Sequence, residues 1–179
     1  QGEYGKALQL FSRCLRIRKA VLGDTHPDTL NSMNGLAILY KQQGEYTKAL
    51  PLYQECLNTR RVVLGENHPD TLMSMNNLAN LYSIQEKYEE AFPMYEECFM
   101  MTKSRLGDSH PNTLNPMSNL ANVYHCKGEY GKALPLHEEC FRTRIVVLGE
   151  NHPDTRASKH NLLLCLVLLR KSTPSFIPF

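Results

Sequence analysis

Residues 26–30 read His-Pro-Asp-Thr-Leu, and the phrase returns at 68–72, as His-Pro-Asn-Thr-Leu at 110–114 and as His-Pro-Asp-Thr-Arg at 152–156. Each copy begins 42 residues after the one before it. A fixed period of this size is typical of stacked supersecondary units. The same step separates further residues, namely Tyr4, Tyr46, Tyr88 and Tyr130, and Cys14, Cys56, Cys98 and Cys140. The period therefore predicts a repeat array, an architecture that usually binds partners and seldom catalyses reactions.

Composition narrows the class of partner. The chain has 179 residues and a formal net charge of only +2, without the localised basic excess of a nucleic-acid-binding domain. The apolar run at 162–169 is much shorter than the ~20 residues of a membrane span. Because four of the six cysteines recur with the repeat among Leu and Tyr, they are interpreted as small buried thiols rather than disulfides. We expect no nucleic-acid partner, no membrane association and a cytoplasmic location.

The unit at 25–66 illustrates the predicted helix pair. The residues before each His-Pro can accept a hydrogen bond from a free helix N–H, and the sequence predicts them as N-caps of a helix A: Thr25, Asn67, Ser109 and Asn151. Leu30, Met33, Leu36, Ala37 and Tyr40 recur at helical spacing and form a buried stripe. Gly44 is suited to terminate this helix in the left-handed conformation, as are Gly2 and Gly128, whereas Glu86 stands at the equivalent position of the next unit.

A second helix, B, is predicted from Glu45 to Gly65. Pro51, Pro93 and Pro135 lie in its second turn, where we expect a bend rather than a break. Basic residues recur in its C-terminal half, and we interpret them as a solvated face: Arg16, Arg18, Lys19, Arg60, Arg61, Lys103, Arg142 and Arg144. The chain is predicted to contain about eight helices. They form a repeat domain at residues 1–170, which consists of a half repeat at 1–24, full repeats at 25–66, 67–108 and 109–150, and a half repeat at 151–170. An irregular tail is predicted at 171–179.

The lettering Asn77-Leu78-Ala79-x-Leu81-Tyr82, followed by Tyr88-x-x-Ala91 and Tyr95-x-x-Cys98, resembles the tetratricopeptide repeat. The common repeat of that family has 34 residues, so this one is longer. The longer form, with Leu64-Gly-Glu-Asn-His-Pro-Asp-Thr-Leu72, is similar to the repeats of kinesin light chains and nephrocystin-3-type proteins. The resemblance implies an all-α, right-handed solenoid of antiparallel helix pairs.

The resemblance also implies that helix A lines a concave peptide-binding groove. The groove positions left over by the buried stripe are rich in side-chain amides: Asn31, Asn34, Ile38, Met73, Asn76, Asn77, Asn80, Asn115, Ser118, Asn119 and Asn122. An amide both donates and accepts, so it can pair with the backbone of an extended peptide. The alternative is that these residues are solvated or connect adjacent A helices.

Other site classes find little support in the sequence. Related proteins that hold a chaperone's C-terminal carboxylate resemble one another in an inner clamp of Lys, Arg and Asn, whereas Lys41 is the one cation among the inner-face positions considered. The four His-Pro histidines lie a whole repeat apart and cannot converge on one metal ion. His125 and Cys126 have no nominated acid partner. We therefore predict no catalytic, metal or cofactor site and no enzyme activity.

The function predicted is a kinesin-light-chain-like adaptor, a scaffold that captures an extended segment of a protein partner. The alternative is a sensor or oligomerisation segment of a larger NB-ARC-type signalling ATPase. Both ends of the chain depart from the repeat, and 162–169 is apolar where solenoids normally finish in a polar face. Three explanations stay open: a longer array, a tail folded back as a cap, or self-association through exposed terminal helices.

Overall fold

In a computed structural model the protein is all-α, as predicted. The structure describes residues 2–172, with side chains from Gly5 onward, and this part of the chain contains no strand. Its eight helices are α1 (Gly2–Leu22), α2 (Pro27–Gln42), α3 (Tyr46–Leu64), α4 (Pro69–Ile84), α5 (Tyr88–Leu106), α6 (Pro111–Cys126), α7 (Tyr130–Leu148) and α8 (Pro153–Ser172). Since α8 continues to Ser172, the predicted tail starts two residues too early, and the rest of it lies outside the described residues.

The chain forms two compact units, Gln1–Gln85 and Glu86–Phe179. In the first unit α1 packs on α2, α2 on α3 and α3 on α4. In the second unit α5, α6, α7 and α8 pack successively in the same way, and α6 also contacts α8. Short linkers such as residues 43–45 reverse the chain, so that consecutive helices in each unit run antiparallel.

The A helices begin with a histidine cap. Nδ1 of His68 accepts a hydrogen bond from the backbone N–H of Asp70 at 3.2 Å, and His26, His110 and His152 make the equivalent bond. The predicted caps, Thr25 and its counterparts, are therefore displaced by one position. The reason is that Pro69 occupies the first helical position and restricts His68 to extended backbone (φ −70°, ψ 138°), from which the imidazole reaches the free N–H.

The turns after the A helices need left-handed backbone. Gly44 and Gly128 adopt φ of +77° and +76°, as predicted, whereas α1 already begins at Gly2, which is therefore not a terminator. Glu86 occupies the same conformation with φ +60°, although its Cβ makes this costly by roughly 1–2 kcal/mol. Glu86 thus keeps the left-handed backbone of the equivalent glycines despite its side chain.

Small thiols fill the helix interfaces, as predicted from their spacing. Cys56, Cys98 and Cys140 are buried, and all six cysteines are free thiols. Burial raises the pKa of the Cys98 and Cys140 thiols to about 12, so both stay protonated and unreactive. The B helices α3, α5 and α7 run without a break through their second-turn prolines.

Candidate functional site

One face of α4 combines large exposed apolar side chains with amides. Met73 is 43% exposed and Ile84 is 50% exposed, and the eleven residue steps from one to the other make about three turns, or roughly 16 Å along the helix. Asn76, Asn77 and Asn80 lie between them, all partly buried. This α4 face therefore offers two apolar contact points with amides in between.

In the first unit α2 lies beside this face. Oδ1 of Asn34, which is only 7% exposed, accepts a hydrogen bond from Nδ2 of Asn77 at 3.1 Å. Ile38, one turn further along α2, is half-buried. The structure thus brings Asn34 and Asn77 together, but as a connection between two A helices.

The second unit has the same kind of connection. Nδ2 of Asn161 in α8 donates to Oδ1 of Asn122 in α6 at 3.1 Å. Asn119 is half-buried on α6, and Ser118 is buried. In each unit, therefore, a pair of asparagines joins neighbouring A helices. The sequence analysis gave this role as the alternative to peptide binding.

Two predicted groove residues bind arginines of the B helices. Nη2 of Arg60 donates to Oδ1 of Asn31 at 2.6 Å, and Nη2 of Arg144 donates to Oδ1 of Asn115 at 3.0 Å. Gly35 of α2 lies against the ring of Phe11 in α1, and a ring carbon of Phe11 is 2.6 Å from the position that a Cβ on Gly35 would take.

These arginines correct the prediction of a solvated basic face. Arg60 is 1% exposed and Arg144 is 6% exposed. Nη1 of Arg60 donates to the Asp70 carbonyl oxygen at 3.0 Å and to the Ser74 hydroxyl at 2.8 Å. Arg144 and the half-buried Arg18 bind the following helix in the same way, at Asp154 and Ser158 and at Asp28 and Ser32. The sequence showed cations at a helix end, and only packing shows that Arg60 and Arg144 enter the core.

The remaining repeat replaces the arginine together with its acceptors. Thr102 stands at the position of Arg60 and donates to the Cys98 carbonyl oxygen of its own helix at 2.7 Å. The two side-chain acceptors of Arg60 are replaced as well: Pro116 stands one repeat after Ser74, and Met73 stands one repeat after Asn31. Losing the guanidinium and its acceptors together avoids unpaired buried polar groups. It also leaves Met73 as an exposed apolar side chain.

A cluster of potential metal ligands was not foreseen by the sequence, from which we predicted no metal site. Among the described residues, His125 of α6, His137 of α7 and Cys165 of α8 bring their potential ligand atoms within 4.8 Å of one another. Burial and the neighbouring His125 lower the pKa of His137 to about 4, so its imidazole is neutral near pH 7. A signal was present in the sequence, since all three residues depart from the repeat pattern, but helix packing is what brings them together.

No helix in the described part of the chain is both long and apolar enough to span a membrane.

Lys41, the cation predicted on the inner face of α2, is half-buried. Burial lowers the pKa of its amine.

Comparison with known proteins supports the family resemblance. Two tetratricopeptide repeat models match, one at residues 1–61 and 40–104 and the other at 113–154. Comparison with curated protein sequences returned no match.

Solved structures give the same result. Nearly identical TPR-like repeats from a Podosopora anserina protein provisionally named a kinesin light chain are 26% identical to this chain, with a TM-score of 0.79 over 96% of this chain and 81% of that one. A single-substitution variant of that protein gives a TM-score of 0.80 with the same identity and coverage. BtubC (BKLC) from P. vanneervenii shares the fold at 24% identity, with a TM-score of 0.82 over 94% of this chain and 67% of that one.

Proposed function

Because the chain belongs to the tetratricopeptide repeat family, whose fold is that of a protein–protein interaction scaffold, we propose that it captures an extended peptide segment of a partner on its A-helix faces. The observation that carries this proposal is the α4 face. Met73 and Ile84 are exposed about 16 Å apart, a distance that an extended peptide of about five residues spans. Apolar peptide side chains would pack on these two residues.

The amides between them suit the peptide backbone. Asn76, Asn77 and Asn80 follow the same side of α4, and each carries an amide that both donates and accepts. The bond to Asn34 uses Nδ2 of Asn77 and holds its side chain in position. Preorganised side chains lose less entropy when a ligand binds, which favours affinity.

The predicted groove residues then divide into two roles. Asn31 and Asn115 bind arginines, and Asn34 and Asn122 join A helices, so these four support the surface. Met73 and the α4 amides contact the peptide, and on α6 the half-buried Asn119 is the corresponding position. Similarity to the repeats of a protein provisionally named a kinesin light chain supports an adaptor role for this surface.

The proposal is tested with matched charge substitutions. Met73→Glu places a carboxylate at one of the two proposed apolar contact points, and Val62→Glu places one on α3, where Val62 is 87% exposed. Extended peptides selected from a random library on the unmodified protein are titrated against both variants by fluorescence anisotropy.

We expect Met73→Glu to weaken binding by at least tenfold, since burying a carboxylate against an apolar side chain costs more than about 1.4 kcal/mol. Val62→Glu should leave the Kd unchanged. Weaker binding in Val62→Glu alone would assign the peptide to the B-helix surface and contradict the proposal. Equal binding by all three proteins would show that the peptide contacts neither residue and would also contradict the proposal. A selection that yields no binding peptide would favour the ATPase-sensor alternative.

A further inference from the structure

Three side chains that bind metals meet between α6, α7 and α8 in the second unit. His125 and His137 offer imidazole nitrogens and Cys165 offers a thiol, and these atoms lie within 4.8 Å of one another. The imidazole rings of His125 and His137 stand edge to face, with centroids 6.2 Å apart. The cluster is independent of the peptide-binding face proposed above.

All three residues differ from the residues at the same register elsewhere. The repeat has Lys41 and Ser83 where His125 stands, Tyr53 and Tyr95 where His137 stands, and Leu39, Leu81 and Val123 where Cys165 stands. Other repeats therefore fill this space without any potential ligand at these positions. Three separate departures create a ligand set only because they occur on three helices that pack together.

One ring nitrogen of the buried histidine lacks a polar partner. His137 is 1% exposed, and its Nε2 makes no hydrogen bond to any described residue. An unsatisfied buried nitrogen costs about 1–3 kcal/mol, so its presence in a packed core calls for a compensating interaction. Among the described residues the fully buried Cys165 thiol makes one weak hydrogen bond, to the Tyr130 carbonyl oxygen at 3.6 Å. A metal ion would engage both groups.

We propose that His125, His137 and Cys165 form a three-ligand site for a soft d¹⁰ cation, Cu⁺ or Zn²⁺. Two imidazoles and one thiolate are a ligand set that both ions accept. Zinc lies about 2.1 Å from nitrogen and about 2.3 Å from sulfur, so side-chain adjustments below about 1 Å bring the three atoms to bonding distance.

Charge distinguishes the two ions. As the metal binds, the Cys165 thiol releases its proton to solvent, and the thiolate sulfur donates an electron pair to the ion. A Cu⁺ complex with one thiolate and two neutral imidazoles has no net charge, which suits a buried site. A Zn²⁺ complex carries +1 and takes a water molecule as fourth ligand on the half-buried His125 side.

Metal affinity of the reduced, full chain tests the site. Cu⁺ and Zn²⁺ are each titrated in competition with a chromophoric chelator, and Co²⁺ is added separately to detect the thiolate-to-metal charge-transfer band. The variants restore residues found elsewhere in the repeat, namely His137→Tyr, Cys165→Leu and His125→Ser. Cys126→Ser removes the neighbouring exposed thiol as a matched control. Circular dichroism verifies that each variant is folded.

We expect one Cu⁺ or Zn²⁺ per chain. Each of His125→Ser, His137→Tyr and Cys165→Leu should lower the affinity for that ion more than about 100-fold. His125→Ser is the most informative of the three, because the half-buried His125 is least coupled to folding. The Co²⁺ band should disappear in Cys165→Leu and persist in Cys126→Ser. Absence of stoichiometric binding of both ions would overturn the proposal. So would binding that survives Cys165→Leu or is lost in Cys126→Ser, because the metal would then lie at another thiol.

Discussion

Nη2 of Arg60 lies 2.6 Å from Oδ1 of Asn31, although the two residues are on different helices and 29 positions apart. The same guanidinium binds Ser74 at 2.8 Å, so one side chain of α3 connects α2 with α4. In the second unit Arg144 connects α6 with α8 in the same manner. The arginine thus contributes to the packing of three helices, and its two terminal nitrogens donate to oxygen acceptors of the neighbouring helices.

Arg144→Met should lower the free energy of unfolding by about 2–4 kcal/mol. The change leaves Asn115, Ser158 and the Asp154 carbonyl oxygen without their donor. Arg142→Met in the same helix is the control, because that arginine is exposed and its ion pair with Glu139 at 3.7 Å contributes little. Urea unfolding measures both, and equal effects would contradict the role assigned to Arg144.

Replacing Asn115 and Ser158 as well should recover part of this loss. In Arg144→Met with Asn115→Met and Ser158→Ala, the unpaired polar side chains are removed together with their donor, and apolar groups fill the space. We expect the triple variant to be more stable than Arg144→Met alone in the same urea experiment. Additive destabilisation by the three substitutions would show that these groups do not act as one set.

Removing a histidine cap should destabilise the helix that it begins. His68→Ala takes away the acceptor of the Asp70 N–H and should cost about 1 kcal/mol of unfolding free energy. His68→Asn places another good N-cap acceptor at the same position and should retain most of the stability. If the two variants unfold alike in urea, the imidazole contributes through packing and not through the cap.

Glu86→Gly should stabilise the α4–α5 turn. Relief of the left-handed strain at φ +60° exceeds the entropic penalty of a glycine, for a net gain of about 0.5 kcal/mol. Gly128→Ala at the equivalent turn should have the opposite sign, since a Cβ is added at φ +76°. Thermal melts of the two variants compare them directly, and a lower Tm for Glu86→Gly would mean that the Glu86 side chain itself stabilises the turn.

Asn34 and Asn77 should be energetically coupled. A double-mutant cycle with Asn34→Ala and Asn77→Ala is expected to show about 0.5–1.5 kcal/mol of interaction free energy, from the hydrogen bond between them. Asn34→Ala combined with Asn58→Ala, an exposed position on α3, should be additive. Absence of coupling would remove the support that we assign to Asn34 on the peptide-binding face.

The thiols should differ sharply in reactivity. Cys126 is exposed, so it should be alkylated first in the native protein, while Cys98 and Cys140 stay protected by burial and by pKa values of about 12. Mass spectrometry after brief iodoacetamide treatment identifies the modified sites. Early labelling of Cys98 or Cys140 would show that the helix interfaces open readily.

The period was sufficient to predict the helices but not the contacts between them. His-Pro-Asp-Thr-Leu places Pro69 at the first turn of α4, and local chemistry alone makes it a helix start. The cap was assigned one residue too early because the side chains of Asn67 and His68 can both accept a hydrogen bond, and only backbone geometry decides which one reaches the free N–H. Asn34 and Asn77 were predicted to line a peptide-binding groove, yet their mutual bond depends on how closely α2 and α4 approach.

The sequence by itself determined the element order, the buried thiols and the family, because these follow from spacing that each repeat carries within 42 residues. Tertiary structure decided which polar residues are buried. Arg60 enters the core while Arg142 remains in water, since burial depends on acceptors that other helices supply. The cluster of His125, His137 and Cys165 likewise exists only in the fold, because residues 28 and 40 positions apart become neighbours only when α6, α7 and α8 pack together.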